Sequence, residues 1–256
     1  MSYVDLKHRL AGLTMDVVAD PDAARWVPVL AAYARAIPDA ATGISWTELK
    51  TSADALAGGF GWNVSEDDAN TLIAAGVLIR MGDRITLDPA FTPYFAYLTR
   101  HSGRLLSFLA RYRAQTTPPW DSIPVEVWRG AQLFNAGLYF ECHELLEGAW
   151  RRTAGPEKNF LHGLVQAAAA FYHYEKRNRH GVRTLLDKAL RRLDPYPSHF
   201  LGVDLDDLRR SLAKWQKFLA ADGAVPPPST PVIQFAAAAA ESTGDAAAQN
   251  KGTPRG

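Results

Sequence analysis

The sequence predicts a mainly α-helical protein of two packed units followed by a disordered tail. Apolar residues recur every three or four positions through most of the chain, as on the buried stripe of a helix. Strand-like patterning is confined to one stretch, Val77 to Leu87, folded around Met81-Gly82-Asp83. Pro, Gly and Asn punctuate the helical stretches at intervals that suit short connections.

Pro21-Asp22 opens the first periodic stretch, which carries Trp26, Val29, Leu30 and Tyr33 towards Ile37 and stops at Pro38. Ser45 and Glu48 stand in the capping-box relation and start a second helix, and Ser65 caps a third that Gly76 ends. Two short strands follow around the Gly82 turn. Helix, helix, helix, hairpin is the order of a winged helix, so residues 1–115 read as a winged-helix-like domain. It closes with a long helix from Pro89 to Ala114, where Pro93 and Gly103 are the candidate points of interruption.

Thr116-Thr117-Pro118-Pro119 cannot continue a helix and marks the boundary. Beyond it the periodicity predicts a five-helix bundle over 120–222, with helices at about 122–134, 139–153, 157–177, 179–193 and 204–221. Asn135 and Gly137 separate the first two, Gly155-Pro156 the next pair, and Asp194-Pro195-Tyr196-Pro197 closes the fourth. Asp204 is the expected cap of the last. Residues 223–256 are rich in Pro, Ala, Ser, Thr and Gly and read as a disordered tail, with Val232-Ile233-Gln234-Phe235 its only adhesive stretch.

At 256 residues and 47% hydrophobic content the chain can bury sizeable cores, and a formal charge of +1 provides no overall field towards nucleic acid or anionic lipid. The single cysteine, Cys142, excludes an intrachain disulfide and a Cys-rich zinc knuckle. No apolar run is long enough to span a bilayer and none has signal-peptide form, so a cytoplasmic location without membrane association is expected.

The chemically densest stretch is Phe134-Asn135-Ala136-Gly137-Leu138-Tyr139-Phe140-Glu141-Cys142-His143-Glu144-Leu145-Leu146-Glu147-Gly148-Ala149-Trp150. On a helix, His143, Glu144, Glu147, Trp150 and Arg151 share one arc with Glu141 at its edge, while Cys142, Leu145, Leu146 and Ala149 fill the opposite arc. This stretch resembles the signature of a bacterial and archaeal family, domain of unknown function 309. The resemblance continues through Phe160 to Gln166, the Ala167 to Ala170 run, His173, Asn178 and Gly181. One departure is His162, which stands where that family usually has Gln. The resemblance implies a helical bundle with a suspected metal-binding role and no agreed activity.

Imidazole and carboxylate donors suit zinc, iron or manganese, so Glu141, His143, Glu144 and Glu147 are candidate ligands. His173 on the next helix is expected to complete the set in preference to His162, because the resemblance covers it. Two alternatives stand beside this. His143 acts as a general base oriented by Glu147, without metal. Otherwise the cluster is a closed network with Arg129, Arg151, Arg152 or Tyr172 that only fixes the helices. Neither the zinc-protease pattern nor the paired Glu-x-x-His motifs of di-iron bundles are present. Cys142 reads as a small core residue and Trp150 as core or as a lid.

Between Ser45 and Thr92 three basic residues face seven acidic ones, and the third helix opens with Glu66, Asp67 and Asp68, which argues against DNA binding. The basic runs at Arg100 to Arg113 and Lys176 to Arg192 read as solvated helix faces, with a phosphorylated ligand or RNA as the sharper alternative. The expected partner is a small ligand held at the His/Glu cluster. The alternative is a protein partner of a non-catalytic regulatory module. A tetratricopeptide-like hairpin at Leu133 to Tyr139 lacks a second copy. Gly163 and the four alanines form a small-residue face that is a candidate homodimer seam.

Overall fold

The computed structural model describes residues 2–37, 42–221 and 226–236, and these hold ten α-helices and little sheet. The chain begins with a helix that the sequence reading left unassigned, α1 (Tyr3–Ala19). Its signals were nonetheless in place: Ser2 and Asp5 form a capping box, and Leu6, Leu10, Leu13 and Val17 supply the buried stripe. The next helix, α2 (Trp26–Ala36), starts four residues past Asp22, because Asp20 and the turn after it hold the chain out of the helix. Pro38, its expected stop, lies outside the described residues.

β1 (Ile44–Ser45) leads into α3 (Trp46–Ala57), where the Ser45–Glu48 capping box is present. After α4 (Glu66–Ala74) the chain turns at Gly76, whose φ of 67° only glycine adopts cheaply, into β2 (Leu78–Met81) and β3 (Arg84–Leu87). The hairpin is antiparallel, and β1 adds a third strand on the far side of β3 with Ile44 opposite Ile85, giving the order β1-β3-β2. Two residues are too short a run for periodicity to expose β1. The long helix expected from Pro89 is two elements: a 3-10 turn over Pro89–Tyr94, which contains Pro93, and α5 (Phe95–Tyr112), which passes through Gly103 without a break.

Neither helix nor strand occurs between Tyr112 and Val125. All five expected bundle helices are present: α6 (Val125–Asn135), α7 (Tyr139–Arg152), α8 (Pro156–Glu175), α9 (Arg179–Leu193) and α10 (Leu205–Ala220). α6 starts later than expected because Pro124 serves as its N-cap. Gly137 (φ 76°) turns α6 into α7, and Asp204 caps α10 by accepting from the Asp207 amide at 2.9 Å. A short hairpin, β4 (His199–Phe200) with β5 (Val203–Asp204), precedes that cap.

The small-residue face of α8 is used inside the chain. Gly163, Ala167, Ala168 and Ala170 are buried, and a Cβ at Gly163 would stand 2.7 Å from Leu193 of α9. Gly163 is therefore covered by α9, and the three alanines are buried within the chain.

The expected tail divides. Residues 226–236 pack on the bundle: Ile233 is 2% exposed, Asn135 bonds both its N–H and its carbonyl at 2.8 and 2.9 Å, and Phe235 bridges to Val203. The stretch Val232 to Phe235 thus adheres as its apolar residues suggest, and disorder does not describe 226–236. Residues 222–225 and 237–256 lie outside the described residues.

One hydrophobic cluster runs through both halves of the chain, from Leu6 and Phe91 to Phe134 and Trp215. At the junction Lys7 of α1 sits 3.5 Å above the Phe140 ring of α7, and Arg129 of α6 donates to the Tyr112 hydroxyl of α5 at 3.1 Å.

Candidate functional site

α7 is seated by its apolar side. Cys142 and Leu146 are fully buried, and Gly130 lets α6 approach so closely that a Cβ there would lie 2.6 Å from Leu146. Burial raises the Cys142 thiol far above its ordinary pKa, which suits an inert core residue. This packing turns His143, Glu144 and Glu147 outward on the opposite side.

One donor atom from each of His143, Glu144 and Glu147 lies within 4.8 Å of the other two. His143 Nδ1 is 3.2 Å from Glu144 Oε1, and Glu147 pairs with Arg151 at 3.1 Å. The carboxylate that orients His143 is therefore Glu144, whereas Glu147, expected in that role, is drawn towards the arginine one turn on. His143 and Glu147 keep about a quarter of their side-chain surface in contact with solvent, and Glu144 keeps more. The cluster is a half-open face and not an enclosed pocket.

Across the groove, α8 contributes His162, whose ring centroid is 4.3 Å from that of Trp150. Gln166 donates from Nε2 to His162 Nε2 at 3.2 Å, while its own buried Oε1 has no hydrogen-bond partner. Burial lowers the His162 pKa, Arg192 and Lys188 add to that, and Glu147 opposes it. Of the two histidines weighed on α8, His162 is the one within the electrostatic reach of Glu147. His173 stands at the end of α8, where Asn178 holds its Nδ1 at 2.8 Å and Gly181 leaves room for its ring. It caps the α8–α9 turn and is absent from the His143 group.

Glu141 also parts from the cluster. Two residues before His143, it is turned by about 200° on the helix and points at α5. There it meets His101, a residue the sequence reading did not single out, with Nδ1 to Oε1 at 3.7 Å and side chains 4% and 2% exposed. Burial pushes Glu141 up to about 7 and His101 down to about 3, so between those pH values the contact joins two uncharged groups. His101 Nε2 and Glu141 Oε1 have no hydrogen-bond partner among the described residues. No sequence spacing could have linked residues forty positions apart on separate helices. Of the expected cation partners, Arg151 reaches Glu147, but Arg129 bonds Tyr112 instead.

Comparison with known proteins finds partial matches that centre on these helices. Over 54 residues the chain is 38% identical to the uncharacterized protein YpuF of Bacillus subtilis (strain 168), covering 21% of this chain and 31% of that one. It is 29% identical over 80 residues to an uncharacterized protein of Aquifex aeolicus (strain VF5), covering 31% of this chain and 24% of that one. The chain thus spans about a third and a quarter of the length of these relatives. No helix among the described residues is long and apolar enough to cross a membrane. Residues 127–185, from α6 into α9 and including the whole His143 face, match the family described as Domain of unknown function (DUF309).

Proposed function

We propose that the α7–α8 hairpin binds a divalent transition metal through His143, Glu144 and Glu147, and that the loaded centre holds a small ligand. The observation that carries this reading is the approach of one imidazole nitrogen and two carboxylate oxygens to within 4.8 Å on a solvent-accessible helix face. One nitrogen and two oxygen donors suit zinc, iron or manganese. A bound ion there would supply Lewis-acid chemistry towards a carbonyl or phosphoryl oxygen. The protein's own groups position the site: Glu144 fixes the His143 ring, while Trp150 and His162 wall one side. Glu141 and His173 stand outside this donor set.

The test is calorimetric titration of zinc and of manganese into untagged protein, alongside His143→Ala and Glu147→Ala. One equivalent of metal is expected for the parent chain, and loss of at least tenfold in affinity for each variant. Because the Arg151 partner of Glu147 is exposed and the pair spans one helical turn, Glu147→Ala should cost about 1 kcal/mol of stability or less, so lost binding is not unfolding. Substoichiometric metal in the parent and both variants overturns the reading.

A second reading concerns residues 1–115, taken as a winged-helix-like unit on the order α2, β1, α3, α4, β2, β3 and the sheet order β1-β3-β2. We infer a protein-contact role in a cytoplasmic protein, not DNA binding. Lys50 is already paired with Asp54 at 2.6 Å and Arg80 with Glu66 at 3.4 Å, so two of the few cations near α4 are neutralised internally.

A further inference from the structure

A cavity of about 260 Å³ opens where α5, the start of α7, α8 and α10 meet the packed segment 226–236. Its walls are aromatic: Phe171, Tyr174 and Trp215 meet edge to face at 4.7 to 5.1 Å, with Tyr139 beside them. Thr230 of segment 226–236 closes one end. Arg100 and Arg104 stand at the rim with a single carboxylate, Glu175.

Charge around this cavity is unbalanced. Arg104 is committed to Glu175 and to the Gly137 carbonyl at 2.9 Å. Arg100 has no ion pair among the described residues. Two guanidinium groups thus share the rim with one carboxylate, and Lys176, its pKa lowered by burial and further by Arg100, stands nearby over the Tyr3 ring.

A second observation points the same way. Behind the rim, a recess of about 10 Å³ shares Arg100, Arg104, Tyr139 and Glu175 with the cavity and is lined by His101 and Glu141. The His101 Nε2 and Glu141 Oε1 atoms are buried without hydrogen-bond partners among the described residues, in the recess that adjoins the cationic, aromatic cavity. Buried polar atoms of that kind cost free energy unless something bonds to them.

We propose that this cavity binds a small planar aromatic carboxylate, its ring against Phe171, Tyr174 and Trp215 and its carboxylate on Arg100 and Arg104. The volume admits a ligand of one or two fused rings and is below the usual range for larger cofactors. A guanidinium presents a planar fork matched to a carboxylate, and the rings supply stacking area at low entropic cost.

Indole-3-acetate serves as the probe and its uncharged isostere, indole-3-acetamide, as the control, each titrated by calorimetry and followed by saturation-transfer NMR. The acetate is expected to bind at least tenfold tighter than the amide. Arg100→Gln, an exposed change that leaves the core untouched, should remove most of that difference, and Glu175→Gln should strengthen acetate binding by withdrawing the competing carboxylate. His143→Ala should leave probe binding unchanged, which separates this site from the metal face. Equal affinity for acetate and amide, no binding of either at millimolar concentration, an unaffected Arg100→Gln protein, or preference for phenyl phosphate over the acetate each overturns the assignment.

Discussion

Replacing Glu141 with Gln is expected to alter how stability responds to pH more than it alters stability at any one pH. In the folded protein Glu141 titrates near 7 instead of 4.5, chiefly through burial, with Glu175 adding to the rise and Arg104 and Lys7 opposing it. Between those values the folded chain keeps a proton that the unfolded chain releases, so this stabilisation is complete below about 4.5 and is lost as pH rises through 7. The slope is about 1 kcal/mol per pH unit, or roughly 3 kcal/mol over the interval. His101 works in the opposite sense: lowered from 6.5 to about 3, it contributes stability that is present above 6.5 and is lost as pH falls towards 3. The two slopes nearly cancel between 4.5 and 6.5, where the parent protein should show a flat profile. Gln at 141 removes one of them and leaves that of His101. Urea unfolding at closely spaced pH values should then give a midpoint that climbs with pH across this window in Glu141→Gln and stays level in the parent. Parallel profiles for the two proteins would refute the assignment of Glu141 as a buried, protonated carboxylic acid.

Asn135→Ala removes both hydrogen bonds to the Ile233 backbone, leaving a buried amide and carbonyl unpaired, and should cost about 1 to 3 kcal/mol. Limited proteolysis should show faster cleavage within 226–236 while α6 to α10 stay protected; an unchanged digest would deny the anchor. Gly163→Ala places a methyl 2.7 Å from the fully buried Leu193, and overpacking of this kind costs about 1 to 3 kcal/mol. The thermal midpoint should fall by several degrees, and a neutral result would contradict the close packing of α8 on α9 at this position.

What was legible in the sequence follows the range of each interaction. Capping residues act within four positions, and Ser45, Ser65 and Asp204 each sit where the sequence places them. Helical periodicity located all five bundle helices to within three residues at either end. The strand β1 and the β4–β5 hairpin escaped because two residues carry no period. The site divides along the same line. His143, Glu144 and Glu147 are neighbours on one helix, so spacing alone brings them together. The partners of Glu141 and His173 depend on how α5 and the α8–α9 turn pack, which no local pattern encodes.

The separation of Glu141 from Glu144 and Glu147 also decides which carboxylates can serve a metal. Glu144 and Glu147 stand on the half-open face of α7, where an incoming ion can reach them from solvent. Glu141 belongs to the same two helical turns, yet it lies between α5 and α7 where ionisation forfeits hydration that Arg104 and Lys7 only partly replace. His143 and His101 repeat the contrast: the first imidazole is open to an incoming ion, and the second is enclosed, with burial holding it neutral. α7 therefore takes part in two histidine–carboxylate groupings of different character, one within the helix and one shared with α5. The outer one is open to solvent, whereas the inner one is enclosed and resists charge. Burial, more than residue type, assigns their chemistry.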